Sequence, residues 1–335
     1  MHNFKKIILH TALLIFFVVL LLACFMLPYF HGESYYYQDY KVRDSLSGKI
    51  DTLIIGSSHA LRSVKPTVLN KNLNLSAYNL SSPLMSMYGR YALLEKEIKR
   101  NPVKTVFFEI SYNALTLDKK SLGFEGDLYV LGRFDTAFER ISFFSNAFSF
   151  EEYEKVFSDT LERSKNSLSI GSSDSIEQYK TLGYLPVPSN DQTLSPQERK
   201  EIQNKLSLDV KIKEESLNYF DKIIKMCEDN DIRVVLIVTP ITERMIVQYD
   251  NFDDLFSQYM DLAQKYNCEY YDFNLDKKRK ELYSEETSFY DITHMSDSGA
   301  EIFSNRLSEI IKAVNEGKDI SNEFYESYSK IKELY

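Results

Sequence analysis

"DTLIIGSSHALRS", residues 51–63, decides how the chain is read. A short apolar run stops at Gly56-Ser57-Ser58-His59 and gives way to polar, helix-compatible sequence. Near-continuous apolar runs are expected of parallel strands covered on both faces. The turn then sets Ser58 at the carboxyl end of a strand, where open parallel sheets bind ligands. Two readings stand there: an ordinary serine-capped helix start, or a hydroxyl exposed beside unsatisfied backbone N–H groups.

Four further runs repeat the first: "SAYNL" (76–80), "KTVFFEI" (104–110), "RVVLIVTPI" (233–241) and "CEYYDF" (268–273). Between them lie apolar stripes at helical spacing. These are Leu84, Met87, Tyr88, Tyr91, Leu94 and Ile98; Leu217, Phe220, Ile224 and Cys227; Leu255, Tyr259, Leu262 and Tyr266; and Phe303, Leu307, Ile310 and Val314. Ser298 and Glu301 have the spacing of a capping box for the last helix. The alternation predicts an α/β fold, a doubly wound sheet of about five parallel strands. It breaks over about 116–205, a charged, Phe- and Tyr-studded stretch that includes "GYLPVPSNDQTLSPQE". This reads as a mostly helical insertion on the loop side of the sheet, where lids and substrate-facing caps occur. Residues 319–335 read as a peripheral amphipathic helix, and 51–318 as the globular domain.

"KKIILHTALLIFFVVLLLACFMLPYF" opens the chain with roughly twenty apolar residues, enough for a bilayer core of about 30 Å. Lys5 and Lys6 precede it and Glu33 is the first acidic residue. The positive-inside rule then places the N-terminus in the cytoplasm and the remainder outside, on a single-pass anchor spanning 1–31. No small-residue cleavage site follows, which favours an uncleaved anchor. "LLAC" at Cys24 is an imperfect lipoprotein box. Polar, Tyr-rich 32–50 reads as a stalk. The chain is 335 residues long with net charge −9, which excludes a global basic footprint for nucleic acid. Cys227 and Cys268 read either as buried thiols or as one disulfide. No Cys/His cluster suggests a metal, and no cofactor is expected.

A serine needs a base, nearly always His, to act as an acyl-transfer nucleophile. Of the five histidines, His2, His10 and His31 belong to the anchor and its border. His59, bonded next to Ser58, is expected to point elsewhere along the turn. His294 remains, in "SFYDITHMSDSGAEIFSNRL", three residues after Asp291. That spacing lets the carboxylate hold Nδ1 while Nε2 faces the hydroxyl. The bland reading is a loop His capping a helix beside a solvated Asp.

Gly-x-Ser after the first strand and Asp-x-x-His before the last helix resemble the SGNH (GDSL-type) hydrolase superfamily. The resemblance covers about 50–115 and 205–315 and leaves the insertion uncovered. It implies a three-layer, flavodoxin-like sandwich with Ser58 as nucleophile, Asp291 as orienting acid and His294 as base. It also implies an oxyanion hole made by the Ser58 N–H, a donor after strand two and Asn113 after strand three. No Gly follows strand two before Gly89, so the backbone of Ser81 or Ser82 must supply that donor, with Ser82 preferred. Ser57 stands where the family usually has Asp. "IGSSDS" at 170–175 repeats Gly-Ser-Ser but follows no convincing strand.

The chain resembles the membrane-anchored bacterial branch, with cell-wall and exopolysaccharide O-acyltransferases and teichoic-acid D-alanyl transfer proteins. That implies an extracytoplasmic serine acyltransferase or esterase acting on an envelope polysaccharide or teichoic acid. It also implies a membrane-bound O-acyltransferase as partner. The alternative is a catalytically degenerate scaffold or polysaccharide-binding protein, favoured by the missing Gly and by Ser57. Gly56-Ser-Ser-His lacks the glycine and lysine pattern that cradles phosphates, which argues against a nucleotide-binding protein.

Overall fold

The computed structural model describes residues 2–26, 35–156, 158, 181–201 and 206–334. Five strands, β1 (Thr52–Ile55), β2 (Ala77–Asn79), β3 (Thr105–Glu109), β4 (Arg233–Val238) and β5 (Glu269–Asp272), form one sheet. All pairs are parallel and the spatial order is β2-β1-β3-β4-β5. Each strand coincides with one of the runs read in the sequence, shortened by one to three residues.

Strand periodicity divides the core into two layers. Leu53, Ile55, Val106, Phe108, Leu236 and Val238 face helices Met87–Arg100, Glu214–Glu228 and Phe252–Lys265. Ile54, Phe107, Val235 and Ile237 face helices Pro66–Leu73 and Asp297–Asn315. The stripes at Phe220, Ile224 and Cys227, and at Phe303, Leu307 and Ile310, are the buried faces of two of these helices. Leu84 leaves its stripe: it sits before the Met87–Arg100 helix at φ 51° and is 43% exposed. The last long helix begins two residues earlier than the sequence suggested. Ser296, not Ser298, is its cap and accepts from the Gly299 N–H, while the Ser298 hydroxyl donates to the Thr287 carbonyl. Cys227 and Cys268 are both free, which removes the disulfide reading.

Residues 35–50 of the expected stalk belong to the domain, and 32–34 lie outside the described residues. Tyr35–Ser45 is a helix, and its Arg43 is buried against the sheet. The guanidinium donates to Asp39 at 2.8 Å, to Glu97 at 2.7 Å and to the Arg133 carbonyl at 2.9 Å. Tyr78 from β2 donates to Asp39 at 2.6 Å. Burial alone would raise the Asp39 carboxyl, but Arg43 and Arg133 reverse this and hold it below its ordinary value. A buried charge needs partners, so the segment cannot extend freely into solvent. The C-terminus differs as well: a 3₁₀ turn at Ser321–Glu323 is followed by a short helix, Tyr328–Lys332, with Tyr328 and Ile331 buried.

The insertion contributes helices Lys119–Leu122, Glu125–Leu131 and Ala137–Ala147. Leu128, Val130 and Phe143 extend the core on the first layer's side. Residues 159–180, including the second Gly-Ser-Ser at 170–175, lie outside the described residues. The N-terminal helix runs from His2 to Met26, and Ile7, Leu14, Phe16 and Phe17 on it are exposed. Its side chains are described at 6–18 and 20; Met1 and 27–31 of the expected anchor lie outside the described residues. Among the described residues no helix is long and apolar enough to cross a membrane.

Candidate active site

The end of β1 fixes the first loop. At Gly56 an added Cβ would stand 2.5 Å from the Glu109 Cβ and 2.9 Å from that of Ala60. Only a residue without a side chain lets the two strand ends approach this closely. Ser57 follows as helix cap, its hydroxyl oxygen accepting from the His59 N–H. Ser57 also donates twice to the buried Glu109 carboxylate, from N–H at 2.8 Å and from Oγ at 3.0 Å.

Glu109 ties the loops together. Its other oxygen accepts from the Ser111 N–H at 2.6 Å, and Arg90 lies 3.8 Å from its carboxylate. Burial pushes this carboxyl up, but Arg90 and the Ser57 and Ser111 donors outweigh burial and hold it below its ordinary value. The residue at 57 now has a physical reason. An Asp there would set a second carboxylate against Glu109, whereas Ser donates to it.

Ser58 is the first residue of the Ser58–Ser63 helix. The second loop is a small hairpin closed by the buried pair Phe289 and Met295, with the Tyr290 N–H donating to the His294 carbonyl at 2.9 Å. Thr242 grips its tip, donating from its hydroxyl to the Ile292 carbonyl at 2.7 Å. His294 Nε2 lies 2.8 Å from Ser58 Oγ, joining residues 236 positions apart. Its Nδ1 lies 2.8 Å from Asp291 Oδ2 and 2.9 Å from Oδ1. Asp291 also accepts from the N–H groups of Thr293 and His294, each at 2.9 Å. Partial burial would raise its carboxyl, but the His294 and Thr293 donors overcome that and hold it well below the ordinary carboxylate range. The Asp291 carboxylate therefore stays ionised at any physiological pH and fixes the imidazole with Nδ1 protonated, so that Nε2 can accept.

His59 contradicts its expected orientation. Its ring stacks on His294, centroids 5.0 Å apart at 23°, and meets Tyr112 edge-on at 5.6 Å. Burial pushes its pKa down to about 4 against the opposing pull of Glu109, and neighbouring His294 lowers it further. At neutral pH it is an uncharged plate behind the base. A turn residue's side-chain direction depends on the helix that follows, and sequence spacing does not specify it.

The donors expected around the oxyanion stand differently. By its place at the start of the helix, the Ser58 N–H has no intrahelical acceptor. The Ser82 N–H reaches the same loop but is engaged, donating to the Gly56 carbonyl at 3.3 Å. The Ser81 N–H donates to Asn79 Oδ1 at 2.9 Å. Asn113 uses Oδ1 to accept from the Ser111 hydroxyl at 2.9 Å, which leaves its Nδ2 as the donor end.

One element was invisible in the sequence. Residues 182–192, from the loop-like end of the insertion, form a strap across the site. The Leu182 carbonyl accepts from Asn79 of β2 at 2.9 Å, and the Leu185 N–H donates to Leu61 of the serine helix at 3.0 Å. Val187 and Asn190 then bond to Asp297 and Phe289, each at 2.8 Å, on either side of the His294 hairpin. Tyr184 adds a side-chain bond to Asp297 at 2.9 Å. The strap joins the serine helix to the histidine loop. A separate cleft of about 510 Å³ lies between helices Met87–Arg100 and Ala137–Ala147, and neither Ser58 nor His294 lines it.

Compared with known proteins, the chain matches no family model and no curated sequence.

Proposed function

We propose that the protein is a serine-dependent acyl hydrolase or acyltransferase of the SGNH type. The observation that carries this reading is the 2.8 Å contact between Ser58 Oγ and His294 Nε2, backed by Asp291. A hydroxyl at that distance can pass its proton to Nε2 as it attacks an ester carbonyl. The new bond joins Oγ to the carbonyl carbon, and the departing alcohol takes the proton back from Nε2. Water, or a hydroxyl of an acceptor polymer, then repeats the cycle on the acyl-serine, with His294 again accepting and returning one proton. Asp291, ionised throughout, stabilises the imidazolium. Donors for the oxyanion are the Ser58 N–H, Nδ2 of Asn113 and, if it exchanges its bond to Gly56, the Ser82 N–H.

The setting we favour is the outer face of a bacterial membrane. Lys5 and Lys6 stand near the start of the His2–Met26 helix, whose side chains from Ile7 to Val18 are exposed, as an anchor requires. Acyl esters of an envelope polysaccharide or teichoic acid are then the substrate class, and a membrane-bound O-acyltransferase a fitting donor partner. Engagement of the Ser82 N–H favours the second reading, a degenerate scaffold. A fluorophosphonate probe on the full-length protein separates the two. The enzyme reading expects one covalent adduct that disappears in Ser58→Ala; an unlabelled protein, or a labelled S58A variant, supports the scaffold.

A further inference from the structure

Arg62 stands apart from the other buried or half-buried arginines of the domain. Arg43, Arg90, Arg279 and Arg306 each donate to a carboxylate or carbonyl. Arg62 makes no hydrogen bond or ion pair among the described residues, whereas Arg90, whose Nε is likewise buried without a partner, still donates through Nη1. Its guanidinium instead lies over the ring of Tyr290, 5.2 Å from the centroid. Leaving donors of a charged group unsatisfied is costly, so such a group is expected where a ligand completes it.

Its position says which ligand. Arg62 lies one helical turn beyond Ser58, on the same face of the serine helix. Both reach the same hairpin: Ser58 touches His294, and Arg62 covers Tyr290, the residue before Asp291. Ser58, Arg62 and His294 are half-buried and Tyr290 is 37% exposed, so the guanidinium borders the space open to Ser58. Lys65, three residues further along the chain, is already paired with Asp297 and Glu301, each at 3.0 Å. A guanidinium held over an aromatic face can still offer its Nη donors for a two-point contact with anionic oxygens.

We infer that Arg62, braced on Tyr290, binds an anionic group, a carboxylate or a phosphate, on the molecule presented to Ser58. This deepens the reading of the site as an acyl-transfer centre and rests on it for the word substrate. Against the protein's net charge of −9, a local cation lowers the electrostatic cost of an acidic partner's approach.

Calorimetry tests the inference without requiring turnover. The full-length protein in detergent is titrated with glycerol 3-phosphate and with galacturonate, against glycerol and galactose as neutral controls. At least one anion is expected to bind, with a Kd raised about tenfold or more in Arg62→Gln and intermediate in Arg62→Lys. Which anion binds tells a phosphate-bearing from a uronate-bearing partner. The Ser58→Ala chain should bind the anion as the wild type does, so failure of the acyl-serine reading leaves this result standing. Conversely, a labelled Ser58 with no anion binding overturns the Arg62 assignment alone. Equal Kd values in wild type and R62Q overturn it too. R62K decides the matter if R62Q does not fold: a wild-type Kd there rules out the two-point contact.

Discussion

Asp291 shows how much work one carboxylate does at this site. It accepts from Nδ1 of His294 and from two backbone N–H groups, so it sets both the tautomer of the base and the shape of the hairpin. Asp291→Asn keeps the size but offers an N–H where an acceptor is needed. The rate at which the fluorophosphonate phosphonylates Ser58, expelling fluoride, should fall on the order of 10³–10⁴-fold, as expected when the base is held in the wrong tautomer. A labelling rate within a few-fold of wild type would remove Asp291 from the mechanism. His59 acts through pH. Its pKa in the fold is about 4 against an ordinary 6.5, so the unfolded chain binds the extra proton first as pH drops. Stability carried by neutral His59 is therefore complete above about 6.5 and is lost between there and about 4. His59→Phe should lose more stability than it spares at pH 7 but show a flatter decline in that window. Urea unfolding at pH 7 and pH 4.5 reads this directly, and parallel wild-type and variant curves would contradict it.

At the level of elements, the strap ties together the two loops that carry Ser58 and His294. Gly183 holds it against β2 at φ 88°, where an added Cβ would sit 2.1 Å from the Asn79 carbonyl oxygen. Gly123 offers a built-in comparison: its φ is similar, 73°, but nothing lies within 4 Å. Gly123, with ψ −174°, is in a region almost confined to glycine, so Gly123→Ala should cost only that backbone penalty, about 1–3 kcal/mol. Gly183→Ala carries that penalty and a backbone clash, so its loss should exceed 3 kcal/mol or displace the strap. Displacement would show as slower Ser58 labelling with the fold retained. If both glycine variants unfold at the same temperature, the strap does not press on β2 as described.

The whole molecule is closed by a charge network rather than by the sheet alone. Arg43 joins the Tyr35–Ser45 helix to Glu97 on one layer and to the Arg133 carbonyl from the insertion. Arg133 in turn donates to the Leu80 carbonyl, just past β2. Three separate stretches of chain therefore share one buried guanidinium. Arg43→Met removes the cation that touches both Asp39 and Glu97, leaving them only the weaker pull of Arg133 and Lys96, and should destabilise the protein by about 3–5 kcal/mol. Restoring much of that loss by adding Asp39→Asn and Glu97→Gln would confirm the cause, because the triple variant buries no unpaired charge. A loss near zero in R43M would mean that the helix is not docked in solution.

Strand positions, two-layer burial and the pairing of Ser58 with Asp291 and His294 were legible in the chain itself. Strands reveal themselves through contiguous apolar residues, and a serine without a second candidate base has few partners to choose from. Hydroxyl, imidazole and carboxylate sit at strand or helix boundaries, which local pattern marks well. The sequence by itself therefore determined the element order, the layers and the chemistry on offer at the sheet's rim. Only the tertiary structure decided that Ser57 donates to Glu109, that His59 stacks on the base, that residues 182–192 strap the loops, and that Arg62 is left unpaired. Each of these depends on which way a side chain points or on backbone bonds between distant loops. Such contacts cost chain entropy that only the assembled core repays, so no local periodicity records them.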